Sequence, residues 1–181
     1  MAQFTEKAIL DTFATLLKEQ PFDKITVSAL VKRCDISPNT FYYHYHDIYD
    51  LLDAWLKKTS SYYVNNNLSW QDTIRAFLRD CQKNPRLVYH LFDSRSRDQL
   101  EQTVFSICGQ IFGHYVTRRV DGLNVPAERL QEITDYCRNS FLGFFLGFLW
   151  KRMDTDVDKA VERLTELTVP FVAEALKGCG K

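Results

Sequence analysis

The sequence lacks the features that mark most specialised classes of protein. Its five cysteines (Cys34, Cys81, Cys108, Cys137 and Cys179) lie far apart with no C-x-x-C pair, which excludes a disulfide framework and reads as reduced cytosolic thiols. No basic-then-apolar signal pattern opens the chain at "MAQFTEKAIL", and the expected location is cytoplasmic. The longest apolar run, "FLGFFLGFLW" from Phe141 to Trp150, would rise about 15 Å as a helix, half of a hydrocarbon core, so no membrane role is expected. Neither sign of charge is in excess, with 23 basic and 23 acidic residues. No Gly-rich phosphate loop, nucleophile elbow or Glu-x-x-His pair occurs. His44 and His46 point to different helix faces and have no cysteine or carboxylate at metal spacing. The expectation is therefore no metal, no cofactor and no enzyme activity.

What is present is helical and aromatic. Glycines and prolines fall at boundaries or at helix-packing spacings, and no stretch alternates apolar and polar residues for long. A first helix is expected from an N-cap at Thr5, with Phe4 and Ile9 as a hydrophobic staple and a buried stripe of Ile9, Phe13, Leu16 and Leu17. A second runs from its cap Thr26 to about Cys34. After the turn Asp35-Ile36-Ser37, the Ser-Pro start at Ser37-Pro38 predicts a third helix to about Tyr43. Asp47 caps a fourth, fading at a junction in Asn65–Asn67. Further helices are expected at 70–83, 85–92, 98–119, 126–152 and 157–177. The fold class is all-α, with about nine helices.

Aromatic residues make up 14% of the chain and crowd into "ISPNTFYYHYH", residues 36–46. A short helix, a three-residue turn and a short helix form the helix-turn-helix plan, whose second helix enters the DNA major groove. Asn39 and Thr40 suit base edges: Asn can pair bidentately with adenine, and the Thr methyl can touch a thymine methyl. Tyr42, Tyr43, His44 and His46 can donate to phosphates or pack on the sugar backbone. Thr26, Ser37 and Pro38, at the helix starts, complete the DNA-binding candidates. Phe41 and Tyr45 turn inward. The alternative is an amphipathic helix whose rings simply pack.

Residues 4–56, above all "ITVSALVKRCDISPNTFYYHYHDIYDLLDAWL", resemble the N-terminal domain of TetR/AcrR-family transcriptional regulators. The family's Thr-Val opening corresponds to Thr26-Val27 and its Lys-Arg-small-Gly-Val-Ser turn to residues 32–37. Its Thr-aromatic-Tyr-Tyr-x-Phe run corresponds to residues 40–45, and its Leu-Leu pair to Leu51-Leu52. The resemblance implies a three-helix DNA-binding head (1–47), a connecting helix (48–67) and a helical dimerisation and effector-binding domain (68–181). It also implies a homodimer on a palindromic operator in double-stranded DNA, controlled by an unknown small-molecule effector or protein partner. Asp35 stands where the family prefers glycine, Asn39 replaces a small residue, and Val31 replaces a frequent alanine. His46 and Ile48 occupy positions often basic. Residues 1–58 hold seven Lys/Arg against eight Asp/Glu, which implies few phosphate ion pairs. It also supports an alternative: a coregulator or protein-interaction module that keeps the fold without binding DNA.

In the C-terminal half, the helix holding "FLGFFLGFLW" is apolar nearly all round, with Gly143 and Gly147 on one face. It is similar to that of the family branch related to dihydroxyacetone-kinase regulators. With the last helix it is expected to form a two-chain four-helix bundle, through Phe141, Phe144, Phe145, Phe148, Leu164 and Phe171. The alternative is an intramolecular core helix. An effector pocket is expected among Tyr89, His90, Phe105, Cys108, Phe112 and Tyr136, which mix apolar walls with polar tips. Cys108 and Cys137 are read as inert buried thiols rather than redox sensors.

Overall fold

The computed structural model describes residues 2–64, 68–120 and 124–177. Among these, nine α-helices and one 3-10 turn form, and no strand does. The helices are α1 (Ala2–Glu19), α2 (Val27–Cys34), α3 (Pro38–His44), α4 (Ile48–Val64), α5 (Trp70–Lys83), α6 (Pro85–Phe92), α7 (Arg97–Thr117), α8 (Ala127–Trp150) and α9 (Val157–Lys177), with the 3-10 turn at Phe22–Lys24. The expected all-α architecture is the one that forms. Several boundaries differ by a few residues, α7 for example ending at Thr117 rather than 119, and two differences have a clear cause. Helix α1 begins at Ala2 and runs through Thr5, because the flanking Ala, Gln, Glu and Lys are good helix formers. Phe4 is 82% exposed and staples nothing. Helix α8 stops at Trp150, since Arg152 and Met153 take positive φ of 55° and 59°. The junction expected at Asn65–Asn67 lies outside the described residues.

The chain divides into two compact units. The first comprises Met1–Ser61 and Asn84–Thr103. Its core is the stripe that the α1 spacing requires, Ile9, Phe13 and Leu17, joined by Phe22, Leu30, Phe41, Leu51 and Leu52, all essentially inaccessible. Phe13 meets Phe22 edge-on at 6.2 Å and Trp55 at 6.1 Å between ring centres, the geometry that ring quadrupoles favour. Helix α6 packs along α1. His90 Nδ1–H donates to the Leu17 carbonyl at 2.6 Å, satisfying an acceptor near the end of α1. Gln99 Nε2 donates to Asp53 Oδ1 at 3.1 Å.

The second unit comprises Tyr62–Lys83 and Val104–Lys181. Its core gathers Ile74, Leu78, Phe112, Phe141, Phe145 and Phe148. Helix α9 packs on α5 and α8. Asp156 caps it, accepting the Asp158 and Lys159 N–H groups at 3.1 and 3.2 Å. The Lys159 N–H bond above all holds the Asp156 carboxyl below the usual carboxylate range. Arg75 Nε and Arg79 Nη2 both reach Asp158, at 3.0 and 2.7 Å. Gln82 Nε2 donates to the Met153 and Thr155 carbonyls, fixing the turn that leads into α9.

Candidate nucleic-acid interface

The α2–turn–α3 unit is built by its caps. Thr26 Oγ1 accepts the Ala29 N–H at 3.2 Å and starts α2. Asp35 ends it in the left-handed region, φ 53° and ψ 47°, with its own N–H and that of Ile36 both bonded to the Val31 carbonyl. That single left-handed residue lets the chain reverse within three positions. Ser37 Oγ then accepts the Thr40 N–H at 3.1 Å, and the Ser37 and Thr40 hydroxyls lie 2.9 Å apart. Pro38, first in α3, needs no intrahelical partner there. At the far end Asp47 Oδ1 accepts the Tyr49 and Asp50 N–H groups, and Asp50 Oδ2 accepts that of His46. Both ends of α3 are pinned.

Helix α3 separates its rings by face. Phe41 is inaccessible and Tyr45 nearly so, their ring centres 5.8 Å apart. Burial pushes the Tyr45 phenol up to about 12. On the other face Tyr42 is 58% and Tyr43 80% exposed, and Asn39 and His46 face solvent too. His44, half-buried, meets Tyr43 edge-on at 5.1 Å and braces it. The Thr40 hydroxyl is engaged with Ser37, and the residue is half-buried. Thr26 and Ser37 spend their hydroxyls on caps, while Pro38 is exposed. Arg33, just before the turn, forms a bidentate pair with Glu19, one arm at 2.7 Å. That hydrogen bonding raises the Arg33 pKa and lowers that of Glu19. No Lys or Arg lies on α3. The exposed face is a neutral, donor-rich aromatic surface with one amide at its leading end. An amide can read a base edge and phenols can donate to phosphates.

Residues 9–55 match the family model described as bacterial regulatory proteins, tetR family. Residues 69–169, more than half of the chain, match the one described as transcriptional regulator C-terminal region. The chain belongs to the TetR family. No curated protein matches its sequence. Solved structures do resemble it. The dihydroxyacetone kinase operon activator DhaS superposes over 98% of both chains, with a TM-score of 0.71 and 15% identity. NalD, the secondary repressor of the MexAB-OprM multidrug efflux pump in Pseudomonas aeruginosa, covers 94% of this chain and 97% of its own, with a TM-score of 0.59 and 16% identity. The repressor AlkX of Dietzia sp. strain DQ12-45-1b, implicated in biodegradation of n-alkanes, covers 93% and 98%, with a TM-score of 0.56 and 15% identity. At these identities the likeness is one of fold.

In this TetR-family chain the six effector candidates are divided between the two compact units. Tyr89 and His90 lie in the first unit, where His90 ties α6 to α1. Phe105, Cys108, Phe112 and Tyr136 lie in the second. There Cys108 borders an apolar cavity of about 10 Å³ with Ile74 and Phe77, room for one water at most. Phe112 is packed between Trp70 and Phe141. Phe105 lies under the Arg138 guanidinium, 3.7 Å from its ring centre, and Tyr136 stacks on Phe171 at 4.2 Å. Aromatic spacing alone does not distinguish a pocket wall from a packed core. Two further spaces open among the described residues of this unit. One is a groove of about 510 Å³ beside Phe105, Gly109, Gly113 and Arg138. The other is a hollow of about 310 Å³ at the start of α5 and the end of α7.

The dimer candidates differ in burial. Phe141, Phe145 and Phe148 are at most 2% exposed and form the core of their own unit, so no partner can touch them without repacking it. Phe144, Leu164 and Phe171 are half-buried. The opposite face of α8 is open: Tyr136, Asn139, Ser140, Gly143 and Trp150 are exposed. A Cβ at Gly143 or Gly147 would meet nothing within 4 Å. On α9, Leu167 is 73% exposed. The Gly143–Gly147 spacing marks this face in the sequence.

Proposed function

We propose that this protein is a dimeric, cytoplasmic transcriptional regulator that sets α3 of each protomer into the major groove of a palindromic operator. Residues 1–47 supply the DNA-binding head, 48–67 the connecting helix, and 68–181 the dimerisation and effector-responsive part. The observation that carries the reading is the outward aromatic face of α3, held at both ends by caps while Phe41 and Tyr45 anchor it from below. Asn39 reads a base edge, with the Thr40 methyl beside it. Tyr42, Tyr43, His44 and His46 grip the sugar-phosphate backbone. Thr26, Ser37 and Pro38 act by fixing the angle at which α3 is presented.

Dimerisation uses the open face of α8 and α9, around Gly143, Gly147, Trp150 and Leu167. An effector acts by population shift, binding better to the state whose two heads match, or fail to match, the operator spacing. A coupling of about 1–3 kcal/mol is typical of such control. DhaS is named an activator, NalD and AlkX repressors, so this fold serves both signs of control.

The test is selection of bound fragments from the host genome by the purified chain. A shared palindrome is expected, and Asn39→Ala should relax the preference at one position per half-site by about 1–3 kcal/mol. Failure to enrich any fragment over random DNA contradicts the reading. A second reading, a coregulator that binds protein instead of DNA, draws on the pairing of Arg33 with Glu19 and the lack of a cation on α3. Co-purification with a stable partner, without DNA selectivity, would favour it.

A further inference from the structure

The hollow at the start of α5 and the end of α7 has a chemistry that the packed core of its unit lacks. Its volume of about 310 Å³ is at the small end of the range for ligand sites. Buried Ile111 and the rings of Trp70 and Tyr115 form its inner wall. The exposed side chains of His114, Arg118 and Arg119 line it towards solvent. The Arg119 guanidinium stands 5.2 Å from the centre of the Tyr115 ring. No carboxylate lines the hollow among the described residues. Asp72, the nearest acid on α5, is already held by Arg75 and Ser69.

Two donors in this wall are orphaned. Trp70 Nε1 and the Tyr115 hydroxyl are both buried with no hydrogen-bond partner. An indole N–H can only donate. Burial raises the Tyr115 phenol above its ordinary value, so it stays protonated at neutral pH and donates too. Buried donors without acceptors are uncommon, and each asks for an explanation. Both side chains line the hollow beside two arginines, the side chains best shaped to hold a carboxylate.

We propose that this hollow binds a small organic acid with a compact apolar body. The carboxylate meets Arg118 and Arg119. The body packs on Ile111 and the two rings. The proposal rests on the reading of the C-terminal part as effector-responsive and gives that effector a chemical class.

The experiment is fluorine NMR on the full chain without DNA. It uses a panel of small fluorinated carboxylic acids, each beside its neutral amide, with inorganic phosphate as a further probe. At least one acid is expected to bind about tenfold or more tightly than its amide. Arg118→Gln with Arg119→Gln should abolish that preference, with an unchanged melting curve because both side chains are exposed. An acid-over-amide preference indifferent to the arginine substitutions overturns the proposal, as does a panel with no such preference. Phosphate binding as tightly as the best acid overturns it too, because the apolar wall would then contribute nothing. Each of these failures leaves the operator reading standing, since no DNA is present, and an absent operator leaves the acid measurement readable.

Discussion

Asp35 decides whether the turn between α2 and α3 can form at all. It sits where glycine is preferred, and its left-handed backbone is tolerable for a short polar side chain but strained for a branched apolar one. Asp35→Val should therefore cost about 1–2 kcal/mol, read as a lowered melting midpoint, while Asp35→Gly should cost nothing measurable. The thiols give a second prediction at this scale. Desolvation pushes Cys81 and Cys108 up to about 12 and Cys137 up to about 11. All three should stay protonated and spared by alkylating reagents from pH 7 to 9, with peptide mapping showing modification only after unfolding. The same shifts set the sign of their contribution to stability. The buried thiols favour folding fully below the ordinary thiol value, about 8.5, and that contribution is lost as pH climbs towards 11–12. At the residue level the sequence was legible where burial alternates along α3: the spacing of Phe41 and Tyr45 separates the anchors from Tyr42 and Tyr43. It did not reveal that the Thr40 hydroxyl is engaged by Ser37, since a cap and a base contact call for the same residue type.

At the scale of the element, α3 is a DNA-facing helix without a cation. Each phosphate neutralised by Lys or Arg contributes about 0.9 to the slope of log affinity against log salt. With Arg33 paired and α3 neutral, the slope for the operator complex should be shallow, about 4 or less in magnitude, measured by fluorescence anisotropy across a salt series. A slope near that of a heavily basic reader would mean that residues outside α3 supply the grip. Helix boundaries were well marked wherever a cap and a proline or acid coincide, as at Ser37-Pro38, Asn84-Pro85 and Asp156. They were missed at Thr5, where a good cap residue sits among good helix formers and the helix runs on past it. Which face of α8 turns inward was not legible either. A helix apolar nearly all round has no polar side to orient it, and the packing of Phe141, Phe145 and Phe148 against the rest of the unit decides.

At the scale of the whole molecule, long-range packing was the least legible part. Helix α6 reads as part of the C-terminal body, yet it belongs with α1 in the first unit. His90 reaches a carbonyl 73 positions away in the chain, and no local periodicity encodes such a partner. The dimer proposal yields a paired test. Leu167→Glu, on the open face, should convert the protein to a monomer in sedimentation while leaving its helical content intact. Phe145→Ala, in the core, should instead cost about 3–5 kcal/mol of stability. If Leu167→Glu leaves the dimer untouched, the interface lies elsewhere.

The measurement closest to the central claim is a guanine-N7 methylation-protection footprint of the protein on a selected duplex. The prediction is two protected patches in the major groove, related by a dyad and about one helical turn or somewhat more apart, both weakened together by Tyr43→Ala. A complex that leaves the major groove fully reactive, or protects a single patch without symmetry, would contradict the account.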